Sequence, residues 1–288
     1  MTYGKRCFSI LNATTRQRAL PDVAFSAQHE PHMPAARHPD PDFATTLQHG
    51  LQVLHCFTVG EPALGNKELS ERTGLSKATI SRLTYTLAAR GLVVFDAHLR
   101  RYRLGSTALT IGYPLMASLR IRQVARSRMK QLADEVGGSV SLGMRDRTRM
   151  VYVETSRGHD LSAWRPDIGA AIPMLPTAMG RSWLAQAPQA LREEVLAQIE
   201  AAEPGQRRLY AAELVQAQAD LKRKGFCISR GAWRSDVQAV GVPILIPQDG
   251  ETLVLNCGVL TARLAPRQLE QRIGPRLVEL ARSVEADL

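Results

Sequence analysis

The sequence predicts an α+β protein in two parts: an N-terminal winged helix-turn-helix, a linker helix, and a larger domain built on an antiparallel sheet. Three observations carry this prediction. Residues 66–104 read as two short helices around a glycine turn, followed by a basic hairpin. Residues 106–120 are apolar enough for a connecting helix. From residue 121 onward, helical periodicity alternates with pairs of short strand-like runs separated by turn residues. A chain of 288 residues has room for two such domains.

Residues 1–42 are expected to be a disordered arm, with Pro21, Pro31, Pro34, Pro39 and Pro41 among scattered His and Asp and no period of either kind. Residues 1–10 carry charges and no sustained apolar run, so no secretory signal is expected. Met33 lies just ahead of the folded part and is an alternative start to Met1.

The first domain spans 43–105. Leu47, Leu51, Val53, Leu54 and Phe57 form the stripe of an opening helix. A short helix follows at 67–73 and Gly74 stops it, since glycine accepts a left-handed backbone without a Cβ penalty. Ser76 supplies the N-cap oxygen of a second helix at 77–89. On that helix Ile80, Leu83 and Leu87 share one side with Ser76, and Ala78, Arg82, Tyr85 and Ala89 share the other. The first side suits a three-helix core. The second is small or hydrogen-bonding, which suits the major groove of double-stranded DNA, although an ordinary solvated face has the same pattern. Strands at 92–95 and 101–104, joined by Asp96, Ala97 and His98, make the wing.

On this reading the DNA-facing residues are Ser76, Lys77, Ala78, Thr79, Ser81, Arg82 and Tyr85, with Arg100 and Arg101 from the wing. Arg82 can fork onto guanine O6 and N7, Thr79 or Ser81 can reach a base edge or phosphate, and Ala78 can touch a thymine methyl. Charge agrees. Lys and Arg outnumber Asp and Glu by 37 to 27, for a net +10, and between Lys67 and Lys130 only Glu68, Glu71 and Asp96 oppose a run of cations. No lipidation motif or long apolar helix accompanies them, so no membrane partner is expected.

The linker at 106–120 should be bent or interrupted by Gly112 and Pro114. Its apolar face (Leu109, Ile111, Tyr113, Leu115, Met116) is the expected dimer contact. The second domain spans 121–288. It begins with a helix at 121–136 closed by Gly137 and Gly138, then strands at 139–145, 150–155 and 161–166. Helices follow at 178–187, 188–200 and 211–224, the last stopped by Gly225. Strands at 238–246 and 252–259 flank a turn at 247–250, and a helix at 266–286 ends the chain. A sheet covered by helices on one face leaves the other for a small-molecule pocket. Asn256 and Gly258 share strand parity and face one side, whereas Cys257 faces the other as a buried thiol.

Short blocks in order along the chain carry a family resemblance. They are Glu68, Leu69 and Ser70 through Gly74, Leu75 and Ser76; Arg82 and Leu83; Thr86 and Leu87; Arg90, Gly91 and Leu92; and Tyr102 to Gly105. Further along come Gly169, Pro173, Ala178 to Arg181 leading into Leu184 and Ala185, Lys224 to Phe226, Val240 to Pro243, and Asp249 with Gly250. From about Ala44 to the C-terminus the chain resembles IclR-type bacterial transcriptional regulators. The resemblance implies a GAF-like effector domain, homodimers that often pair into tetramers, and control of transcription by a small organic ligand; the chain is expected to work in the cytoplasm without a cofactor, with a small organic acid as that ligand. The resemblance also implies a pocket at Ala178, Met179, Ser229, Ala239, Asn256 and Gly258. A carboxylate is expected at the start of the helix opening at Thr177, where backbone N–H groups are free. This chain departs from the family in having Ser229, Arg230, Gly231, Ala232, Trp233 and Asp236 where an acidic residue and a glycine are common. Trp233 can cover an aromatic ring, but Trp164, Trp183 and Trp233 each also suit packing, and Arg165 and Arg230 suit solvation or ion pairs.

The competing classes are an enzyme acting on a small organic acid in the second domain, with Glu154, His159 and Asp160 close in sequence, and an architectural DNA-binding protein without a pocket. No GxSxG, HExxH, P-loop or GxGxxG motif is present, so no catalytic residue is assigned. Cys7, Cys56, Cys227 and Cys257 are scattered and no His/Cys cluster has metal spacing, which points to free thiols and no metal.

Overall fold

The computed structural model describes residues 42–159, 167–246 and 250–288. The arm, apart from Asp42, the strand expected at 161–166 and most of the turn at 247–250 lie outside the described residues. The chain forms two compact units, Met1–Ile111 and Gly112–Leu288.

In the first unit, α1 (Thr45–His55), α2 (Asn66–Thr73) and α3 (Lys77–Ala89) enclose a core of Val53, Leu69, Leu75, Ile80, Leu83, Leu87 and Val93. Gly74 ends α2 with φ 70°, and the Ser76 side chain accepts the Thr79 N–H at 3.2 Å to open α3. A three-stranded sheet in the order β1 (Ala63–Leu64), β3 (Arg101–Leu104), β2 (Val93–Asp96) forms the wing. β1 is two residues long, too short to leave a period in the sequence. The wing turn is fixed by Asp96, whose Oδ1 accepts the N–H groups of His98 and Leu99 at 2.9 and 3.0 Å.

The linker helix α4 (Ser106–Ser118) contains Gly112 and Pro114 without interruption. The break expected there falls instead at Leu119, whose φ of −76° and ψ of 76° separate α4 from α5 (Arg120–Val136). Leu109, Ile111, Tyr113 and Leu115 of α4 are exposed.

The second unit continues with β4 (Ser139–Asp146), β5 (Arg149–Arg157), β6 (Ala171–Pro173), α6 (Ala178–Gln186), α7 (Gln189–Ala202), α8 (Gln206–Leu209), α9 (Ala211–Lys224), β7 (Cys227–Arg230), β8 (Val237–Leu245), β9 (Thr252–Leu260) and α10 (Gly274–Glu285). Its six-stranded sheet is antiparallel throughout, in the order β6-β5-β4-β9-β8-β7. The single terminal helix expected at 266–286 is instead a π-helical turn, Leu269–Ile273, leading into α10. Pro275 has no N–H to offer the carbonyl one turn earlier, and the coil widens there.

Both faces of this sheet carry helices. On one, α5 and α10 bury Val140, Leu142, Val240, Val242, Leu255 and Cys257. On the other, α6 lies against β8 and β9 and shares a second core with Met150, Tyr152, Trp183 and Val254. The free face expected from the sequence is therefore half covered. Gly143 and Gly241 allow it: a Cβ on Gly143 would stand 2.3 Å from the Met179 sulfur, and one on Gly241 2.6 Å from the Ala178 carbonyl oxygen. The part of this face that α6 leaves open is a cleft.

Candidate functional site

The exposed surface of α3 is the first candidate site. Lys77, Ala78, Ser81, Arg82 and Tyr85 are exposed and Thr79 is half-buried, while Ile80, Leu83, Thr84 and Leu87 are buried behind them. Tyr85 is 76% exposed, a large aromatic side chain left in water by its own domain. Ser76 and Thr79 are partly committed to the cap, their hydroxyls 2.9 Å apart, and the Ser81 hydroxyl accepts from the Asn66 amide at 3.2 Å. Arg82 is exposed and makes no ion pair among the described residues.

The two wing arginines separate. Arg100 sits exposed at the tip with φ 52°. Arg101 was expected beside it as a phosphate contact, but its guanidinium is turned inward. It donates to the Ala63 carbonyl at 2.9 Å and to Glu68 Oε1 at 2.7 Å. Glu68 in turn accepts the Gly65 N–H at 2.6 Å, which holds its carboxyl below the usual range, with Arg101 adding to the effect. Arg101 thus fastens the wing to the start of α2, a role that a strand-end cation does not reveal in sequence.

The second candidate site is the cleft, about 400 Å³ of space counting its open mouth. Ala178, Ser229, Ala239, Asn256 and Gly258 line it together, as do Tyr152, Ile172, Thr177, Trp233, Arg234 and Val237. Register explains the convergence, since Ser229 pairs with Ala239 and Ala239 with Gly258 across three neighbouring strands. Met179, expected on the wall, does not line it. One residue on from Ala178 around α6, it points into the sheet, fully buried against Gly143. Ser229 is present but committed, its hydroxyl donating to the Pro176 carbonyl at 2.8 Å.

Asn256 differs from these. It is 8% exposed, lines the cleft, and its amide makes no hydrogen bond within the described protein. Thr177 caps α6 beside it, its hydroxyl accepting the Gly180 N–H at 3.2 Å and donating to the Pro173 carbonyl at 2.7 Å. Arg234 is a wall residue that the sequence reading missed, because a loop cation has no period to betray its direction. Trp183 serves packing, with its indole N–H on the Thr252 carbonyl at 3.1 Å and Arg145 over its ring.

Glu154 and His159 are not brought together. A bulge between Leu142 and Gly143 in the pairing of β4 and β5 turns Glu154 onto the α5 face, where Arg122 meets it at 3.1 Å. His159 pairs with Asp134 at 2.8 Å. Asp160, Trp164 and Arg165 lie outside the described residues.

Comparison with known proteins agrees with this geometry. The family model for the IclR helix-turn-helix domain matches residues 46–97, and that for the bacterial transcriptional regulator IclR C-terminal domain matches residues 114–286. The chain is 29% identical over 252 residues to the HTH-type transcriptional regulator TsaQ1/TsaQ2 of Comamonas testosteroni, covering 84% of this chain and 88% of that protein. A crystal structure of an IclR family transcriptional regulator from Brucella abortus is 37% identical, with a TM-score of 0.74 over 88% of this chain and 95% of that one. An IclR homolog from Microbacterium hydrocarbonoxydans, crystallised with 4-hydroxybenzoate, shares the fold at 22% identity and a TM-score of 0.68, covering 84% of this chain and 98% of that one. With both family domains present in order, the chain belongs to the IclR family: it is a DNA-binding transcriptional regulator, and the enzyme reading falls away.

Proposed function

We propose that this regulator binds a near-palindromic operator as a homodimer, which can pair further into a tetramer, and that a small organic acid in the cleft changes its affinity for DNA. α3 enters the major groove. Arg82 reads a guanine edge, Ala78, Thr79, Ser81 and Tyr85 contact neighbouring bases or phosphates, and Ser76, Lys77 and Arg100 meet the backbone. In this reading 1–42 is an arm, 43–105 the DNA-binding domain, 106–120 the linker and dimer contact, and 121–288 the effector domain, all working in the cytoplasm where the DNA is.

One observation carries the effector half of the proposal: the unpartnered Asn256 amide in the cleft. This amide is offered to the cleft where water can reach it, so an entering group replaces water on the amide and each hydrogen bond it completes gains about 0.5–1.5 kcal/mol. Tyr152, Ile172 and Trp233 supply apolar walls for a ring. The 4-hydroxybenzoate in the Microbacterium hydrocarbonoxydans homolog is of that chemistry, which favours a catabolic operon for an aromatic or similar organic acid as the target. Calorimetry on the full chain with a panel of organic acids tests the reading. Binding should be present in wild type and weakened in Asn256→Leu; equal binding in both removes Asn256 from the site.

A further inference from the structure

Resting on the effector reading above, we infer that Arg234 is the carboxylate anchor of the cleft and that Asp236 holds its place until the effector arrives. Arg234 follows the turn at Gly231, where φ is 73°, and its carbonyl accepts the Val237 N–H at 3.1 Å, so the loop presents the side chain from a fixed base. Its guanidinium forks onto Asp236, with Nε to Oδ1 at 3.1 Å and Nη2 to Oδ2 at 2.8 Å. That two-pronged geometry is the one a free carboxylate adopts on arginine. The two partners differ in where they stand. Arg234 lines the cleft and its side chain is 28% exposed, whereas Asp236 does not line it and is 52% exposed. Exchanging Asp236 for a ligand carboxylate therefore keeps the same pair of charge-assisted bonds on Arg234. It releases Asp236 to water at little desolvation cost, because Asp236 is already half in solvent.

The strand register separates Arg234 from the unpartnered amide. Asn256 stands opposite Gly241, four residues along β8 from Val237, and Arg234 lies in the loop that leads into Val237. Both side chains face the same cleft, with Tyr152, Ile172 and Trp233 among its walls. The ligand that satisfies both ends has a carboxylate at one, a hydrogen-bonding group at the other, and a flat apolar body between them. A ring acid with a distal hydroxyl has this form. The opening turn of α6 is the rival carboxylate site. It offers about half a unit charge, and Thr177 already satisfies its Gly180 N–H; Arg234 offers a whole charge and a fork.

The experiment is calorimetry on the full chain with acetate, adipate, benzoate, 4-hydroxybenzoate and the neutral 4-hydroxybenzamide. Wild type should prefer 4-hydroxybenzoate over its amide. Arg234→Gln should weaken the acid by about tenfold or more and erase that preference, as loss of a charge-assisted pair does. Asp236→Asn should strengthen acid binding, and the gain should vanish in the double variant, because its source is the Nε and Nη2 edge of Arg234 that Asp236 occupies. An acid-over-amide preference that survives Arg234→Gln overturns the anchor, as does an Asp236→Asn gain that persists without Arg234. Either result leaves the effector reading standing. Binding of none of the acids by wild type sinks the effector reading and the anchor with it.

Discussion

Arg122 and Glu154 meet at 3.1 Å on the α5 face of the sheet, and the same guanidinium donates to the carbonyls of Val153 and Met116, each at 2.8 Å. One side chain thus ties the last turn of α4, the first turn of α5 and strand β5. The tie exists because the bulge in β5 adds a residue at Val153. Without it, strand alternation would send Glu154 to the face that Tyr152 occupies. β5 therefore carries a cleft wall residue two positions from the anchor of the linker helix.

The Glu154 side chain is 4% exposed and that of Arg122 21%. Arg122→Ala leaves a buried carboxylate whose remaining cation, Arg126, stands 3.9 Å away and is 75% exposed. It should destabilise the second unit by about 3–5 kcal/mol. Trp164, Trp183 and Trp233 all lie in that unit, so urea unfolding followed by tryptophan fluorescence reads it directly. A loss below about 1 kcal/mol, the range of an exposed pair, would show that the carboxylate is solvated.

Arg82, Arg100 and Arg101 should give three different phenotypes on DNA. Arg82→Ala should cost about 1–3 kcal/mol on a specific site and relax base choice. Arg100→Ala should weaken specific and random DNA alike and flatten the salt slope by about one ion. Arg101→Ala should act through the wing, and Glu68→Gln should weaken DNA binding in the same direction, since both break the tie to α2. If Arg101 contacted phosphate, Glu68→Gln would free it and binding would tighten. Anisotropy titrations over a range of salt separate these outcomes.

The apolar residues of α4 should hold the dimer together, with Ile111 and Leu115 on one side of the helix and Leu109 and Tyr113 on the other. Leu109, Ile111, Tyr113 and Leu115 are 72%, 66%, 64% and 51% exposed, an apolar run that a lone chain leaves in water. Ile111→Asp with Leu115→Asp should sediment as a monomer. An unchanged dimer would move the contact off the Ile111 and Leu115 side of α4.

Two thiols set an alkaline limit on stability. Burial pushes Cys227 up to about 11 and Cys257 up to about 12, from an ordinary 9.0. Above pH 9 the unfolded chain releases these protons and the folded chain keeps them. Their contribution is therefore complete below pH 9 and lost as pH rises toward 11 and 12, at about 1.4 kcal/mol per pH unit for each group. Denaturation midpoints between pH 8 and 10.5 should fall in wild type and fall less steeply in Cys257→Ala. The same slope in both would show that other groups govern the loss.

Much of this was legible in the sequence because the signals are local. Gly74, Ser76, Gly137 and Gly225 mark helix ends by their own backbone or side-chain chemistry, and the helix Ala211–Lys224 begins and ends where its period does. Alternation along β9 assigned Asn256 and Cys257 to opposite faces. What escaped depends on partners far along the chain. β1 and β6 exist only by pairing with other strands, and the bulge that redirects Glu154 is a property of two strands together. In the cleft, Met179 and Ala178 are adjacent on a helix, and only the approach of Gly143 decides which of them points inward. Arg234 and Arg101 are cations in a loop and at a strand end, whose direction no period fixes.

The most direct test of the central claim, that the cleft governs DNA binding, is a titration of the full chain onto a site enriched from random duplexes, with and without 4-hydroxybenzoate and the other acids. Wild type should prefer a near-palindromic site over random DNA, with an affinity that at least one acid shifts in wild type and fails to shift in Asn256→Leu. Equal affinity for random DNA, or an affinity that no acid changes, would contradict the claim.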